Sequence, residues 1–278
     1  MTPVHWIAFV WLLALSGDVF AQPLVEESEW RETFPVEGNA PVLVVSNIWG
    51  PVSVTSGPAG VIEVNVRTQL DAPDERRLER TREIFAVDVT TSSSTVELNV
   101  GDSYHTLKRE DRCRRCKASH AFEIVVPEGT SVDISTVNDG VVRISGVKGP
   151  VSASNVNGPV SILAASACDS IEAINGDVEL EFSTLPNNAC SVETINGDIR
   201  LGVPPGSGLD VALDLFNGRV TSEFDVSPIT MPAVVEKSDV EGQSRYRISQ
   251  SAGVRIGRGG PLFTIASLNG DVNLVKKP

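Results

Sequence analysis

The sequence predicts an all-β protein: a β-solenoid, parallel β-helix-like, of roughly 18–21-residue coils with one short surface helix. Three observations predict it. The first is a phrase spoken twice, SIEAINGDVELEF at 170–182 and SVETINGDIRLGV at 191–203, a repeat of 21 residues. Aligned on Asn175 and Asn196, Ile171 and Val192 fall four before the Asn, and Ile174 and Ile195 one before it. Val178 and Ile199 follow three after, Leu180 and Leu201 five after, and Phe182 and Val203 seven after. Apolar residues at every second place mark strands with one buried face. The second observation is the recurrence of Asn-Gly: Asn157-Gly158, Asn175-Gly176, Asn196-Gly197 and Asn217-Gly218 stand 18, 21 and 21 residues apart, and Asn269-Gly270 follows after another 52. Asn-Gly adopts positive φ readily, so each copy is expected to bend the chain between two strands.

The third observation concerns cysteine. Cys168 lies seven before Asn175 and Cys190 six before Asn196, nearly equivalent places in successive repeats. In a solenoid such residues stack about 4.8 Å apart, within disulfide reach, whereas a meander with two strands per repeat sets them roughly 9–10 Å apart. The solenoid is therefore favoured over the meander, with Cys168 bonded to Cys190 and Cys113 to its neighbour Cys116.

In chain order, residues 1–21 read as a Sec-type secretory signal peptide. Trp6 to Leu15 form its apolar core, Ser16-Gly17 breaks it, and Val19-Phe20-Ala21 offers a small-residue site for cleavage after Ala21. The run is too short to remain as a membrane span, and the segment before it carries His5 but no Lys or Arg. The chain is thus expected in a bacterial periplasm or secreted, with no transmembrane anchor once the signal is removed. Residues 22–278 are expected to form one solenoid domain, degenerate over 42–120 and regular over 121–278. In the degenerate part, PVLVVSNIWGPVSVTSG is a worn copy with Trp49 in the Asn place. A strand, VIEVNVRTQL, precedes a helix expected over 73–85, where Pro73 suits the first turn and the apolar face is thin. Two more strands lead into a basic loop, 105–120. The regular copies begin at Ala121, with Asn138-Asp139-Gly140 as a turn of one extra residue, and the long gap before Asn269 reads as a degenerate coil plus an excursion.

Formal charge is −13, and aromatics are 5% of residues. So acidic a surface repels nucleic acid and anionic lipid, which excludes both as general partners. Four cysteines in an exported chain are expected oxidised or metal-bound.

The phrases VPEGTSVDISTVNDGVVRISGV, TINGDIRL and FTIASLNGDVNLV resemble the bacterial putative-adhesin family, whose β-strand repeats carry Gly-Asp after the turn Asn. The resemblance runs from Val42 to Val275. It implies an exported repeat fold and no catalytic residue; the CxxC loop is not part of the pattern.

Two constellations could carry chemistry. The loop HTLKREDRCRRCKASH holds His105, Cys113, Cys116 and His120, and with them Lys108, Arg109, Arg112, Arg114, Arg115 and Lys117. A short-range disulfide in an exposed loop is the plain reading. The sharper ones are a zinc site of Cys113, Cys116, His105 and His120, a redox pair whose thiols the arginines acidify, or an anion-binding patch for an envelope polymer. Lys117 stands where covalent haem would need His. The second constellation arises by stacking: Glu172, Glu193 and Asp214 three before the Asn, and Asp177, Asp198 and then Arg219 two after it. Ladders of like charge need relief, expected from Arg219 on Asp198 and Arg200 on Glu179, or from calcium; the calcium-binding β-roll nonapeptide is absent. The carboxylates recur with the repeat as scaffold residues do, and no nucleophile elbow accompanies the many serines. The reading is a non-enzymatic, envelope-associated, adhesin-like binding or structural module without cofactor, its partner an envelope protein or polysaccharide. The alternatives are a carbohydrate-active β-helix enzyme and a metal- or redox-responsive sensor built on the CxxC loop.

Overall fold

The computed structural model describes residues 23–101, 113, 115–231, 234–240, 243–249 and 252–277. The expected signal peptide therefore lies outside the described residues. The strands β1 (Leu24–Pro35), β2 (Val42–Ser46), β3 (Val52–Gly57) and β4 (Val61–Ala72) precede the helix α1 (Glu75–Ile84). After it come β5 (Val87–Thr91), β6 (Thr95–Val100), β7 (Lys117–Pro127), β8 (Ser131–Asn138) and β9 (Val142–Ser145). The regular copies supply β10 (Val151–Asn157), β11 (Val160–Ala165), β12 (Ser170–Asn175), β13 (Val178–Phe182), β14 (Cys190–Asn196) and β15 (Ile199–Val203). β16 (Leu209–Asn217) and β17 (Val220–Ser222) end the regular run. The excursion follows as β18 (Val226–Thr230), β19 (Val234–Val240), β20 (Gln243–Ser249) and β21 (Ala252–Ile256), then β22 (Leu262–Asn269) and β23 (Val272–Lys276).

Each regular copy gives one strand to each of two sheets. Strands before the turn pair in the order β16-β22-β14-β12-β10-β8-β2-β6, all parallel. Their partners after the turn pair as β7-β3-β9-β11-β13-β15-β23-β17, again all parallel. The two sheets face each other over one core. Ile171, Val178, Leu180 and Phe182, and their counterparts Val192, Ile199, Leu201 and Val203, are essentially solvent-free. At about 25 cal/mol per Å² this alternation is the main stabilising contribution.

The sheets are mixed, not purely parallel as expected. One begins with antiparallel β1-β4-β7. The other is closed by antiparallel β5 on β6 and by β18-β21 on β16. Bare parallel edges template further pairing; reversed strands occupy three of the four sheet edges here, and the three-residue β17, parallel to β23, ends the ten-stranded sheet. Helix α1 lies at the same end as β1 and β4. Its cap is Asp74, whose Oδ1 accepts from the Arg77 N–H at 2.9 Å, so Pro73 stands outside the helix and not in its first turn. Leu78 and Ile84 meet Leu70, Ala72, Ala118, Ile48 and Phe85 in a second, smaller core that Trp49 and Cys116 border.

The order of the rungs differs from the order of the chain. β22 and β23, the last copy, sit between the copy of β14 and β15 and that of β16 and β17. Asn217 therefore stacks on Asn269 and not on Asn196. The excursion makes this possible, because β21 returns antiparallel to β16 and leaves the other edge of β16 free for β22.

Candidate functional site

At the bend between the sheets, the turn asparagines form one line in the register Asn138, Asn157, Asn175, Asn196, Asn269, Asn217. Each amide donates to the next: Asn157 to Asn138 at 2.9 Å, Asn175 to Asn157 at 2.9 Å, and Asn196 to Asn175 at 2.8 Å. Asn269 donates to Asn196 at 2.9 Å and Asn217 to Asn269 at 3.0 Å. None of these asparagines has positive φ. The Asn is there for its side-chain ladder, and the Gly for close approach: a Cβ on Gly176, Gly197, Gly270 or Gly218 would strike the carbonyl of the neighbouring rung's glycine. Trp49 occupies the same line, bridged to Asn138, and its neighbour Gly50 takes the turn-glycine place. Inside the bend, Asn47 donates to the Gly50 and His120 carbonyls at 3.0 and 2.9 Å, Asn155 to the Gly140 carbonyl at 2.8 Å, and Thr194 to the Gly176 carbonyl at 3.2 Å. A buried polar residue two before Trp49, Asn157 and Asn196 takes this role, whereas Ala173 and Leu215 hold the same place before Asn175 and Asn217; reading only the apolar positions misses it.

Two expectations about charge are corrected by the rung order. Arg219 pairs with Asp271, not Asp198: its side chain donates at 2.8 Å and its backbone N–H at 2.9 Å, holding the Asp271 carboxyl below the usual range. Ala266 separates Glu193 from Asp214, which relieves that ladder of like charges. Arg200 does meet Glu179, at 3.4 Å.

Both disulfides are present. Cys168–Cys190 spans Cα atoms 5.3 Å apart in the main core, tying the copy of β12 to that of β14. Cys113–Cys116 spans 5.5 Å, and Cys116 leans on the smaller core. The stretch between β6 and β7, which carries the CxxC motif, stands in the sequence where other copies have their short turn. His105, Lys108, Arg109, Arg112 and Arg114 lie outside the described residues. Arg115 and Lys117 are exposed, Arg115 with φ 65°. His120 faces inward from β7, 2% exposed, its Nδ1 2.9 Å from Thr68 Oγ1. Desolvation lowers its pKa from 6.5 to about 4, with the Phe85 backbone opposing. Among the described residues no group of three or more His, Cys, Asp or Glu could hold a metal ion.

A further organised surface is the outer face of the ten-stranded sheet. One register row crosses all its strands: Arg31, Asn65, Glu123, Ser53, Arg143, Ser161, Glu179, Arg200, Asn273, Thr221. Every member is polar. The first five line an open groove of about 1040 Å³, floored by short side chains such as Thr55 and Ala121. At one wall Arg31 donates to Glu29 at 2.7 Å and to Asn65 at 3.3 Å; Asn65 donates to Glu123 at 3.3 Å, and Arg67 closes the chain of contacts on Glu123. The Arg31 guanidinium holds the Glu29 carboxyl below its usual range. Across the groove, Arg143 is exposed and has no ion pair or hydrogen bond among the described residues. Repeat spacing alone cannot reveal this row, because β1, β4 and β7 enter it from the irregular part of the chain.

No protein-family model matches the chain. No curated protein sequence matches it either. Three solved structures resemble it in outline. A putative cell adhesion protein from Clostridium sporogenes is 12% identical, with 90% of this chain and 100% of that one covered at a TM-score of 0.43. A putative adhesin from Bacteroides fragilis is 13% identical, with 89% and 97% covered at 0.41. A putative lipid binding protein from Parabacteroides distasonis is 8% identical, with 89% and 96% covered at 0.25. Likenesses this distant carry no argument about what this chain does.

Proposed function

We propose that the chain is an exported β-solenoid that works without catalysis as an envelope-associated, adhesin-like binding module. Its ligand on this reading is a carboxylated polysaccharide laid across the ten-stranded sheet. The observation that carries this is the polar row from Arg31 to Thr221. At about 4.8 Å per strand it runs for roughly 40 Å, a length suited to a linear polymer and not to one small molecule. Against a net charge of −13, Arg143 supplies a local, uncommitted cation in the groove, and a guanidinium meets a carboxylate with two parallel hydrogen bonds. Glu123 is taken up by Arg67 and Asn65, an arrangement that leaves it no part as a proton donor to a glycosidic oxygen. Export rests on the leader at 1–21, which would deliver the chain to an oxidising compartment where its disulfides persist.

Titration calorimetry with polygalacturonate, and with neutral dextran for contrast, tests the reading. Polygalacturonate should bind and weaken with salt, dextran should not bind, and Arg143→Glu should abolish the heat. Equal heats for the two polymers, or no heat with either, refute the proposal; shortening of the polymer during the titration would make the protein an enzyme.

A further inference from the structure

A second surface runs along the bend, independent of the groove. One place before each turn Asn stands an apolar residue that the strand alternation turns outward. In rung order these are Val137, Val156, Ile174, Ile195, Leu268 and Phe216. Val137 is 38% exposed, Ile174 41%, Ile195 42%, Leu268 46% and Phe216 78%. They are neighbours on adjacent strands, so they form a continuous stripe, on the order of a few hundred Å², the size at which an exposed patch marks an interaction site. A scaffold has no use for such a stripe, since the same residues would keep the fold as Ser or Thr.

The flanks of the stripe say what covers it. On one side stand Glu172, Glu193 and Asp214, and beyond the asparagines stand Asp177 and Asp198. None of these five forms an ion pair among the described residues; Glu172 and Glu193 accept only from Ser170 and Ser191. Arg219 neutralises Asp271 at the end of the second line, and Ala266 interrupts the first. The unpaired negative charge therefore gathers on Glu172, Glu193, Asp177 and Asp198 about the middle of the stripe and on Asp214 at its end. Such a stripe is complementary to an apolar one flanked by basic residues. A second copy of this chain would bring acid against acid, on a protein of net charge −13.

The spacing selects the partner's secondary structure. Rungs repeat about every 4.8 Å, whereas same-face residues of a strand repeat about every 6.7 Å. A helix repeats its face about every 5.4 Å, so its anchors keep step with the rungs to within roughly 3 Å over the whole stripe. Six rungs span about 24 Å, the length of a helix of roughly 16 residues. We infer that the bend docks a basic amphipathic helix of another polypeptide, its apolar face on Val137 to Phe216 and its Lys and Arg on the flanking carboxylates.

The test uses two dye-labelled Lys/Leu peptides of about 16 residues and identical composition, one with helical spacing of Leu and one with strict alternation. Fluorescence anisotropy with the purified protein should show binding of the helical peptide alone, weakened by salt. Ile195→Ser with Leu268→Ser should weaken it about tenfold or more. Glu172→Lys with Glu193→Lys, at exposed positions that leave the core intact, should do the same and flatten the salt dependence. Equal binding of both peptides, or binding untouched by either pair of substitutions, overturns the inference. Sedimentation showing a dimer that Phe216→Ser dissociates overturns it too, by making the bend an interface between copies.

Discussion

Acidification from pH 7 to pH 4 should destabilise this protein chiefly through His120. The unfolded chain binds a proton at His120 near pH 6.5, whereas in the folded state desolvation delays protonation to about 4. Below pH 6.5 the unfolded state therefore binds more protons, and folded stability falls until pH drops past 4. At 1.36 kcal/mol per pH unit of separation, the loss attributable to His120 is about 2 kcal/mol by pH 5 and about 3 kcal/mol by pH 4. That is a substantial part of the stability of an ordinary domain. The assay is urea unfolding at pH 7, 6, 5 and 4 for the native protein and for His120→Phe with Thr68→Val, which removes both the ring and its hydroxyl partner. Paired carboxylates such as Asp210 and Asp271 also lose their partners in acid, but they do so equally in both proteins and cancel in the difference. The double variant should hold its stability between pH 7 and pH 5 while the native protein declines. Parallel decline of the two would refute the reasoning, since it would mean that folded His120 takes a proton as easily as the unfolded chain does.

Further outcomes follow from the rungs. Cys168→Ala with Cys190→Ala should lower stability by about 3 kcal/mol from loop entropy alone, seen as a drop of several degrees in melting temperature. The same change at Cys113 and Cys116 closes a far smaller loop and should shift the melt by a degree or two, through the contact of Cys116 with the smaller core. Asn269→Ala removes two amide bonds within the ladder and should cost about 1 kcal/mol in urea unfolding, more than Asn217→Ala at the ladder's end. Gly197→Ala forces a methyl group onto the Gly176 carbonyl and should destabilise the protein more than Asn269→Ala, by calorimetry.

The strands on either side of each Asn-Gly were legible because their period is two and one face is buried. The cysteines were legible because equivalent places in successive copies must adjoin. Trp49 could be assigned to the asparagine line by its apolar neighbours alone. What the sequence hid depends on contacts between segments far apart. Nothing local fixes the place of the Asn217 copy in the stack, so chain order put it beside Asn196, and that misplacement carried Arg219 to the wrong aspartate. The turn dipeptide suggested a left-handed backbone, whereas the asparagines are needed for lateral amide bonding and the glycines for clearance. Ile174 and Ile195 share the apolar character of buried residues, and it is their place in the strand alternation, out of phase with Ile171 and Val192, that turns them outward. Lys117 and Arg115, noticed as charge, sit where the CxxC loop interrupts the bend, a placement set by the pairing of β6 with β2 and of β7 with β3.

Inserting the final copy between two earlier ones has a temporal consequence. A chain made or threaded from its N-terminal end presents the strands around Asn196 and Asn217 long before those around Asn269 exist to join them. Until then both partners expose a parallel edge and an unmatched half of the core. The stack cannot be completed progressively, rung upon rung, as a linear repeat array can. It closes in one late step whose loop spans the whole excursion, and such non-local pairing is slow.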